Sequence, residues 1–356
     1  MAIKFRAANC RPYLVAVLII LCFAFFRKTG LFCAANNLRN GTAKLPSTTI
    51  FDKSDIVLLK TATECGEVCR YNYSAASPSK HHVIPISIDC PRAFLRMLAR
   101  CPALDPPPQS IPTELLDDFT MRGTAKVYDL YMYHRYSGGK GHTLEWKNED
   151  ITSAVRAPTL YPAAEAFTTY RSNEGRYFEQ AVREFHSAVA GNVGIVWGSE
   201  KPWVEIILAR AGARHILTVE YGEIVSTYPD MTVTTPAQFA AFMLTNKREF
   251  DFGATFSSLE HSGLGRYGDA MDPFGDLQSA AETWCALKPG GIFFLGLPSV
   301  DIAASQDELH WTAHRLYGPH RLAQMFRGFR YLATIDAQPT EARPDGSLIH
   351  VLQKPT

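Results

Sequence analysis

Two residues carry the first chemical signal. Gly198 follows the apolar run Val193 to Trp197, and Glu220, 22 residues later, follows the run His215 to Val219. In an open α/β sheet, ligands bind beyond the carboxyl ends of strands, where the strand order switches. A glycine at the first such end lets a ligand approach the backbone closely. An acid about 20 residues further on is placed to accept hydrogen bonds from a ribose diol. Between them runs Gly198-Ser199-Glu200-Lys201-Pro202-Trp203, entering a helix. Pro202 suits a first helical turn, where its missing N–H leaves nothing unsatisfied, and the turn's free amides can hold a ligand carboxylate. Gly198, Ser199, Glu220, Tyr221 and Ser258 are the expected cofactor contacts. On residue type alone, the same features also fit a tight turn and a solvated acid.

A second cluster of polar groups follows the fourth strand. Glu260, His261, Arg266, Asp269, Asp272 and Asp276 fall in one turn-rich run, with His310, His314, Arg315 and Tyr317 further on. Their bland roles are loop orientation for Glu260, a turn cap for Asp272 and a polar face for His310 and His314. No stretch has dedicated metal-ligand spacing, so no metal is expected.

These residues need elements to position them. Tyr177, Phe178, Ala181, Val182, Phe185 and Val189 share one helical face between Asn173 and Ala190. Strands are then expected at Val193–Trp197, His215–Val219, Met231–Thr235, Phe250–Phe256 and Gly291–Leu297, with helices at Trp203–Ala211 and Asp276–Leu287. Such alternation implies right-handed crossovers and a parallel sheet. Arg330–Asp336 and Leu348–Leu352 read as a closing antiparallel pair, with a hairpin-type turn at Asp345-Gly346.

Two segments narrow the class: DFGATFSSLEH over Asp251 to His261, and LKPGGIFFLGL over Leu287 to Leu297. They resemble the fourth-strand segment and the pre-strand-five turn of class I S-adenosylmethionine-dependent methyltransferases. With GSEKPWVE (Gly198 to Glu205), GARHILTVEY (Gly212 to Tyr221), SLEHSGLGRYGDAMDPFGD (Ser258 to Asp276) and AHRLYGPHRL (Ala313 to Leu322), the chain resembles a methyltransferase-like family described largely from nematodes, domain of unknown function 268. The resemblance covers about Val193 to Phe329 and implies S-adenosylmethionine as cofactor. Methyl transfer mainly requires positioning the acceptor and removing its proton. On that reading His261 or His314 is the base, with Glu260 and Asp269 as further catalytic candidates. The usual Gly-x-Gly loop is here reduced to Gly198, preceded by Trp197, and Thr234, Thr235 and Gln238 stand where an acid often follows strand three.

The N-terminus points elsewhere. Tyr13 to Phe26 is uncharged and apolar, with Lys4, Arg6 and Arg11 before it and Arg27 and Lys28 after it. At about 14 residues it is shorter than the ~20 that span a bilayer, a gap that tilt and snorkelling flanks can close. An uncleaved signal anchor is expected, with a cleaved signal peptide or a buried helix as the other readings. The charge excess before the segment implies a lumenal body in the secretory pathway (ER or Golgi), and the sequons at Asn40 and Asn72 suit a lumenal stem. Cys65, Cys69, Cys90 and Cys101 suit a disulfide-bonded stem better than a zinc site.

The expected organisation is therefore an anchor over 1–30, a loop-rich stem over 31–110, a helical extension over 111–172 and, over 173–356, a doubly wound, mostly parallel Rossmann-like α/β domain with an antiparallel last strand. Net charge is +1 with scattered Lys and Arg, which excludes a nucleic-acid face. The leading expectation is a membrane-anchored methyltransferase acting on a hydroxyl or carboxylate of a glycan or small molecule. A non-catalytic binding protein of the same fold is the alternative. A nicotinamide oxidoreductase lacks its Gly-x-Gly-x-x-Gly, and a glycosyltransferase lacks an Asp-x-Asp motif.

Overall fold

The computed structural model describes residues 83, 86–98, 106–134, 144–158, 172–246, 249–300, 306–336 and 347–356. The anchor segment, both sequons, Cys65, Cys69, Cys101 and the Asp345-Gly346 turn lie outside the described residues. Among those described, no helix is long and apolar enough to cross a membrane.

Along the chain come α1 (Cys90–Leu98), β1 (Lys126–Tyr128), β2 (Leu144–Trp146), α2 (Asn148–Arg156) and α3 (Ser172–Glu184). The alternating region follows as β3 (Val193–Trp197), α4 (Trp203–Arg210), β4 (His215–Val219), β5 (Ile224–Ser226), β6 (Met231–Thr234), α5 (Pro236–Asn246) and β7 (Phe250–Phe256). Then come α6 (Gly275–Ala286), β8 (Leu287–Pro298), β9 (Glu308–His310), β10 (His314–Leu316), α7 (Pro319–Met325), β11 (Arg330–Asp336) and β12 (Ser347–Gln353).

Seven strands form the central sheet in the order β11-β12-β8-β7-β3-β4-β6. The pairs from β8 to β6 are parallel, whereas β12 runs antiparallel to both β8 and β11. This is the Rossmann-like α/β arrangement with an antiparallel last strand. The closing antiparallel pair is added at the β8 edge as expected, with β12 next to β8 and β11 outermost, so β11 runs in the direction of the parallel strands.

Alternation along each strand divides the core between the two faces. Phe293, Leu295 and Leu297 of β8 enter one cluster with Phe239, Leu277 and Phe326. Phe294 enters the other with Phe178, Trp203 and Ile206. The α3 face expected from sequence is thus buried at Phe178, Ala181 and Val182, but the helix ends at Glu184 and a separate turn, His186–Val189, follows. Gly290 takes the left-handed conformation (φ +82°) that the Leu-Lys-Pro-Gly-Gly string implies, but it lies within β8, which begins at Leu287 and not at Gly291 as expected.

The main departure from the expected organisation lies upstream. The segment Cys90–Leu98, read as loop-rich stem, is a helix of this domain. Asp89 accepts the Arg92 N–H at 3.0 Å as a cap, and Pro91 occupies the first turn. Phe94 and Met97, three residues apart, bury on α5 and α6, each contributing about 1.5–3 kcal/mol by removal from water. Cys90 is bonded to Cys285 of α6, not to a stem cysteine. Likewise residues 111–172 supply β1, parallel to β9, and β2, parallel to β5, besides α2.

Candidate functional site

The ends of β3 and β4 meet. Gly198 has φ +66°, and a Cβ there would come within 1.7 Å of the Ser258 hydroxyl and 4.0 Å of Glu220 Oε2. Glycine is thus required twice, by backbone conformation and by the close approach of the loop after β7. Glu220 is buried, and its carboxylate accepts N–H bonds from Ser199 at 2.7 Å, Tyr221 at 2.6 Å and Gly222 at 3.4 Å. Burial pushes this carboxyl above the usual range, and the three amides partly offset the shift.

A cavity of about 230 Å³ opens at these strand ends, just below the ~300–1,000 Å³ typical of small-molecule pockets. Trp197, Trp203, Phe256 and Tyr267 supply aromatic wall, and Met97 of α1 contributes from the opposite layer. The lining acids Glu200, Glu220, Asp269 and Glu282 outnumber its one lysine, Lys201. Aromatic faces beside carboxylates suit a ligand with an apolar body and positive charge. The cavity is not plugged by Trp197, whose ring packs edge-on against Phe239 at 5.2 Å.

Behind the turn lies Glu205 on α4, fully buried. It accepts the Ser199 hydroxyl at 2.9 Å and the Thr218 hydroxyl at 2.8 Å. Burial raises its carboxyl to about 7.

The loop after β7 is held from several sides. Asp269 Oδ2 accepts the amides of Gly263 at 2.7 Å and Gly265 at 3.3 Å, while Oδ1 accepts that of Tyr267 at 3.3 Å. Its carboxylate is thereby committed to shaping the loop. Arg315 donates to the carbonyls of Ser262 at 2.8 Å and Pro273 at 3.3 Å, and Arg321 forms a close ion pair with Asp276. Tyr317 donates to Asp276 at 3.0 Å. Asp276, Arg315 and Tyr317, members of the second polar cluster, form a buried network bracing the loop and do not line the cavity. The sequence order could not show this, because the partners come from segments about 40 residues apart.

His261 faces the cavity, with Nδ1 2.7 Å from the Ala313 carbonyl, which fixes the hydrogen on Nδ1. Burial, with the Arg266 guanidinium nearby, lowers it to about 3, so the ring is neutral at physiological pH and a weak base. General-base catalysis works best with a pKa near the operating pH, a condition the expected role of His261 does not meet. Glu260 stands behind it, outside the lining, with Oε1 3.5 Å from His261 Nε2 and accepting the Ser257 hydroxyl at 2.5 Å. Burial raises Glu260 to about 7, and its Oε2 has no partner among the described residues. His314 is also outside the lining, its ring 6.3 Å from His261 and stacked on His310.

Gly198, Ser199, Glu220, Tyr221, Ser258, His261 and Asp269 thus converge on one cavity, whereas Glu260 and His314 do not reach it. Thr234, Thr235 and Gln238 cap the start of α5 among themselves. Met97, Glu205 and Glu282 were not singled out from sequence. Only Glu205 carried a visible signal, as an acid inside the apolar run Trp203 to Leu208. Among the described residues no group of three His, Cys, Asp or Glu side chains is placed to hold a metal ion.

Residues 191–345 match the family described as "Caenorhabditis protein of unknown function, DUF268", in agreement with the resemblance carried by the strings above. No curated protein matches the chain. Among solved structures, it is similar to the N-methyltransferase NodS of Bradyrhizobium japonicum WM9 in complex with S-adenosyl-L-homocysteine, at TM-score 0.37 and 12% identity, covering 59% of this chain and 98% of that one. A putative S-adenosylmethionine-dependent methyltransferase from Listeria monocytogenes gives TM-score 0.36 and 14% identity, covering 52% and 100%. A putative hemolysin from Streptococcus thermophilus gives 0.37 and 15%, covering 53% and 68%. At this depth of similarity none of the three assigns a ligand or a reaction to this chain.

Proposed function

We propose that the protein is an S-adenosylmethionine-dependent methyltransferase acting on a hydroxyl or carboxylate of a small molecule or glycan. The observation that carries the reading is the meeting of Gly198 and Glu220 on one cavity at the carboxyl ends of β3 and β4, beside the switch in strand order between β3 and β7. S-adenosylmethionine, when bound, supplies an electrophilic methyl group on a sulfonium. Gly198 leaves room for the adenosine part, Glu220 retains about one lone-pair direction beyond its three amide bonds to accept a ribose hydroxyl, and the acid-rich, aromatic wall suits its positive charge.

The protonation states around His261 bear on the acceptor. With His261 held neutral and weakly basic and Asp269 committed to backbone amides, neither of these two catalytic candidates is poised as a base to take a proton. An acceptor that is already anionic, a carboxylate, needs none. The same observation favours a second reading, a binding protein of this fold that does not catalyse. Incubation with S-adenosylmethionine labelled in the methyl group, against a panel of glycans and small hydroxy acids, separates them. Base-labile label marks a carboxylate acceptor and base-stable label a hydroxyl, while tight binding without transfer marks the non-catalytic reading.

Tyr13 to Phe26, clamped by basic residues, supports a single-pass anchor with the domain in the lumen. Endoglycosidase-sensitive modification at Asn40 or Asn72 is the expected result of that topology, and a cytoplasmic, unmodified domain is the contrary one.

A further inference from the structure

Glu205 has a use that the cavity lining does not reveal. It is the acid of α4, and its neighbours Val204, Ile206 and Ile207 are buried apolar side chains. Among the described residues no Lys, Arg or His forms an ion pair with it, so hydrogen bonds from the Thr218 and Ser199 hydroxyls and from its own backbone N–H compensate the charge. Those hydroxyls come from two strand ends: Ser199 follows β3 and Thr218 lies within β4. Ser199 in turn gives its backbone N–H to Glu220 at 2.7 Å. One buried carboxyl therefore holds the turn that carries Gly198 against the strand that carries Glu220. An apolar residue at this helical position would fill the space, but it would leave both hydroxyls without this acceptor.

We propose that Glu205 is a positioning residue for the ligand of this cavity: its carboxylate locks the Ser199 turn in place and adds the negative field that meets a cationic ligand, so that binding expels a proton from Glu205. The inference rests on the methyltransferase reading, since the cation is a sulfonium with an α-ammonium group. At neutral pH the empty site holds Glu205 partly protonated, because burial raises it to about 7 and the neighbouring Glu220 carboxylate adds repulsion. A protonated carboxyl donates one hydrogen, so the Ser199 hydroxyl, which also lies 3.0 Å from the Lys201 carbonyl, can turn to that oxygen, and the Ser199 and Thr218 hydroxyls no longer both donate to Glu205. A positive ligand nearby reverses the balance, and both hydrogen bonds to the carboxylate are restored. Affinity for the cation then rises with pH through about 7, by linkage.

The test is calorimetric titration of the full-length protein with S-adenosylmethionine and with S-adenosylhomocysteine, from pH 6 to pH 8, in buffers of different ionisation enthalpy. The wild type is expected to release a proton on binding S-adenosylmethionine and to lose about tenfold in affinity from pH 8 to pH 6. S-adenosylhomocysteine, whose sulfur is neutral, should show a weaker dependence. Glu205→Gln, neutral at every pH, should bind at pH 8 about tenfold more weakly than wild type, near the wild-type affinity at pH 6, with a flattened profile and less proton release. Thr218→Val, which removes one donor to the carboxylate, should move the midpoint of the wild-type profile to higher pH, and it reads out Glu205 even if Glu205→Gln does not fold. The proposal is overturned if wild type and Glu205→Gln bind with the same slope and proton count, or if Thr218→Val leaves the midpoint in place. Tight but pH-independent binding removes this inference alone. Absence of binding at every pH removes the methyltransferase reading with it.

Discussion

The backbone N–H of Ser199 donates to Glu220 Oε2 across 2.7 Å, so the turn leaving β3 is bonded to the residue that ends β4. Neither strand end can shift without the other, and the cavity between them is preorganised before any ligand arrives. Ordering the turn in advance spares a ligand part of that entropic cost.

Gly198→Ala tests how tightly this junction is built. The left-handed backbone alone costs an L-residue about 1–2 kcal/mol, and the new methyl group collides with Ser258. Urea denaturation should show a loss of at least that size, with ligand affinity down tenfold or more. Adding Ser258→Gly removes the collision but not the backbone strain, so it should recover only part of the stability. Full recovery would show that the backbone conformation carries no cost.

Cys90→Ser tests the fastening of α1. The bond spans 195 residues of sequence, and removing a native disulfide typically costs about 2–4 kcal/mol. Since Met97 of the same helix lines the cavity, the variant should weaken ligand binding as well as stability. Loss of stability with unchanged affinity would mean that α1 keeps its place without the bond.

The pH dependence of stability has a definite sign. Burial holds His261 and His350 at about 3, against a reference value near 6.5. Between those values the unfolded chain binds the extra proton, so their contribution is complete above about 6.5 and lost as pH falls, by about 1.4 kcal/mol per unit for each group. Glu205 and Glu260, raised to about 7, act in the opposite sense, and their contribution is lost as pH rises from about 4.5 through 7. His350→Gln removes one histidine from this balance. The stability gap between variant and wild type should narrow by roughly 2–3 kcal/mol from pH 6.5 to pH 4.5 in urea titrations. A constant gap would contradict the buried, neutral state of His350.

Much of the sheet was legible because buried parallel strands are short, continuous apolar runs. Val193–Trp197, His215–Val219 and Phe250–Phe256 match β3, β4 and β7 to the residue, and Gly198 and Glu220 could be read from their places after two of them. What stayed hidden depends on contacts distant in sequence. Nothing local indicates that Lys126 pairs with Glu308, or that Cys90 reaches Cys285. The cap and turn signal at Asp89-Cys90-Pro91 was present, but it marks a helix start and not where the helix docks. Burial was the other blind spot. His261 was read as a base from its residue type, and its environment makes it a poor one. Asp269, read as catalytic, spends its oxygens on the loop that contains it.

The central claim, that Glu220 holds the ribose of an adenosine cofactor, is tested most directly by calorimetric titration of the full-length wild type, Glu220→Gln and Glu220→Ala with S-adenosylmethionine at one pH. Hydrogen bonds to a charged group are worth about 1.5–3 kcal/mol. The alanine variant, with its fold checked by circular dichroism, should therefore bind about ten- to a hundredfold more weakly, and the glutamine variant should fall between it and the wild type. Equal affinity across the three proteins would contradict the claim.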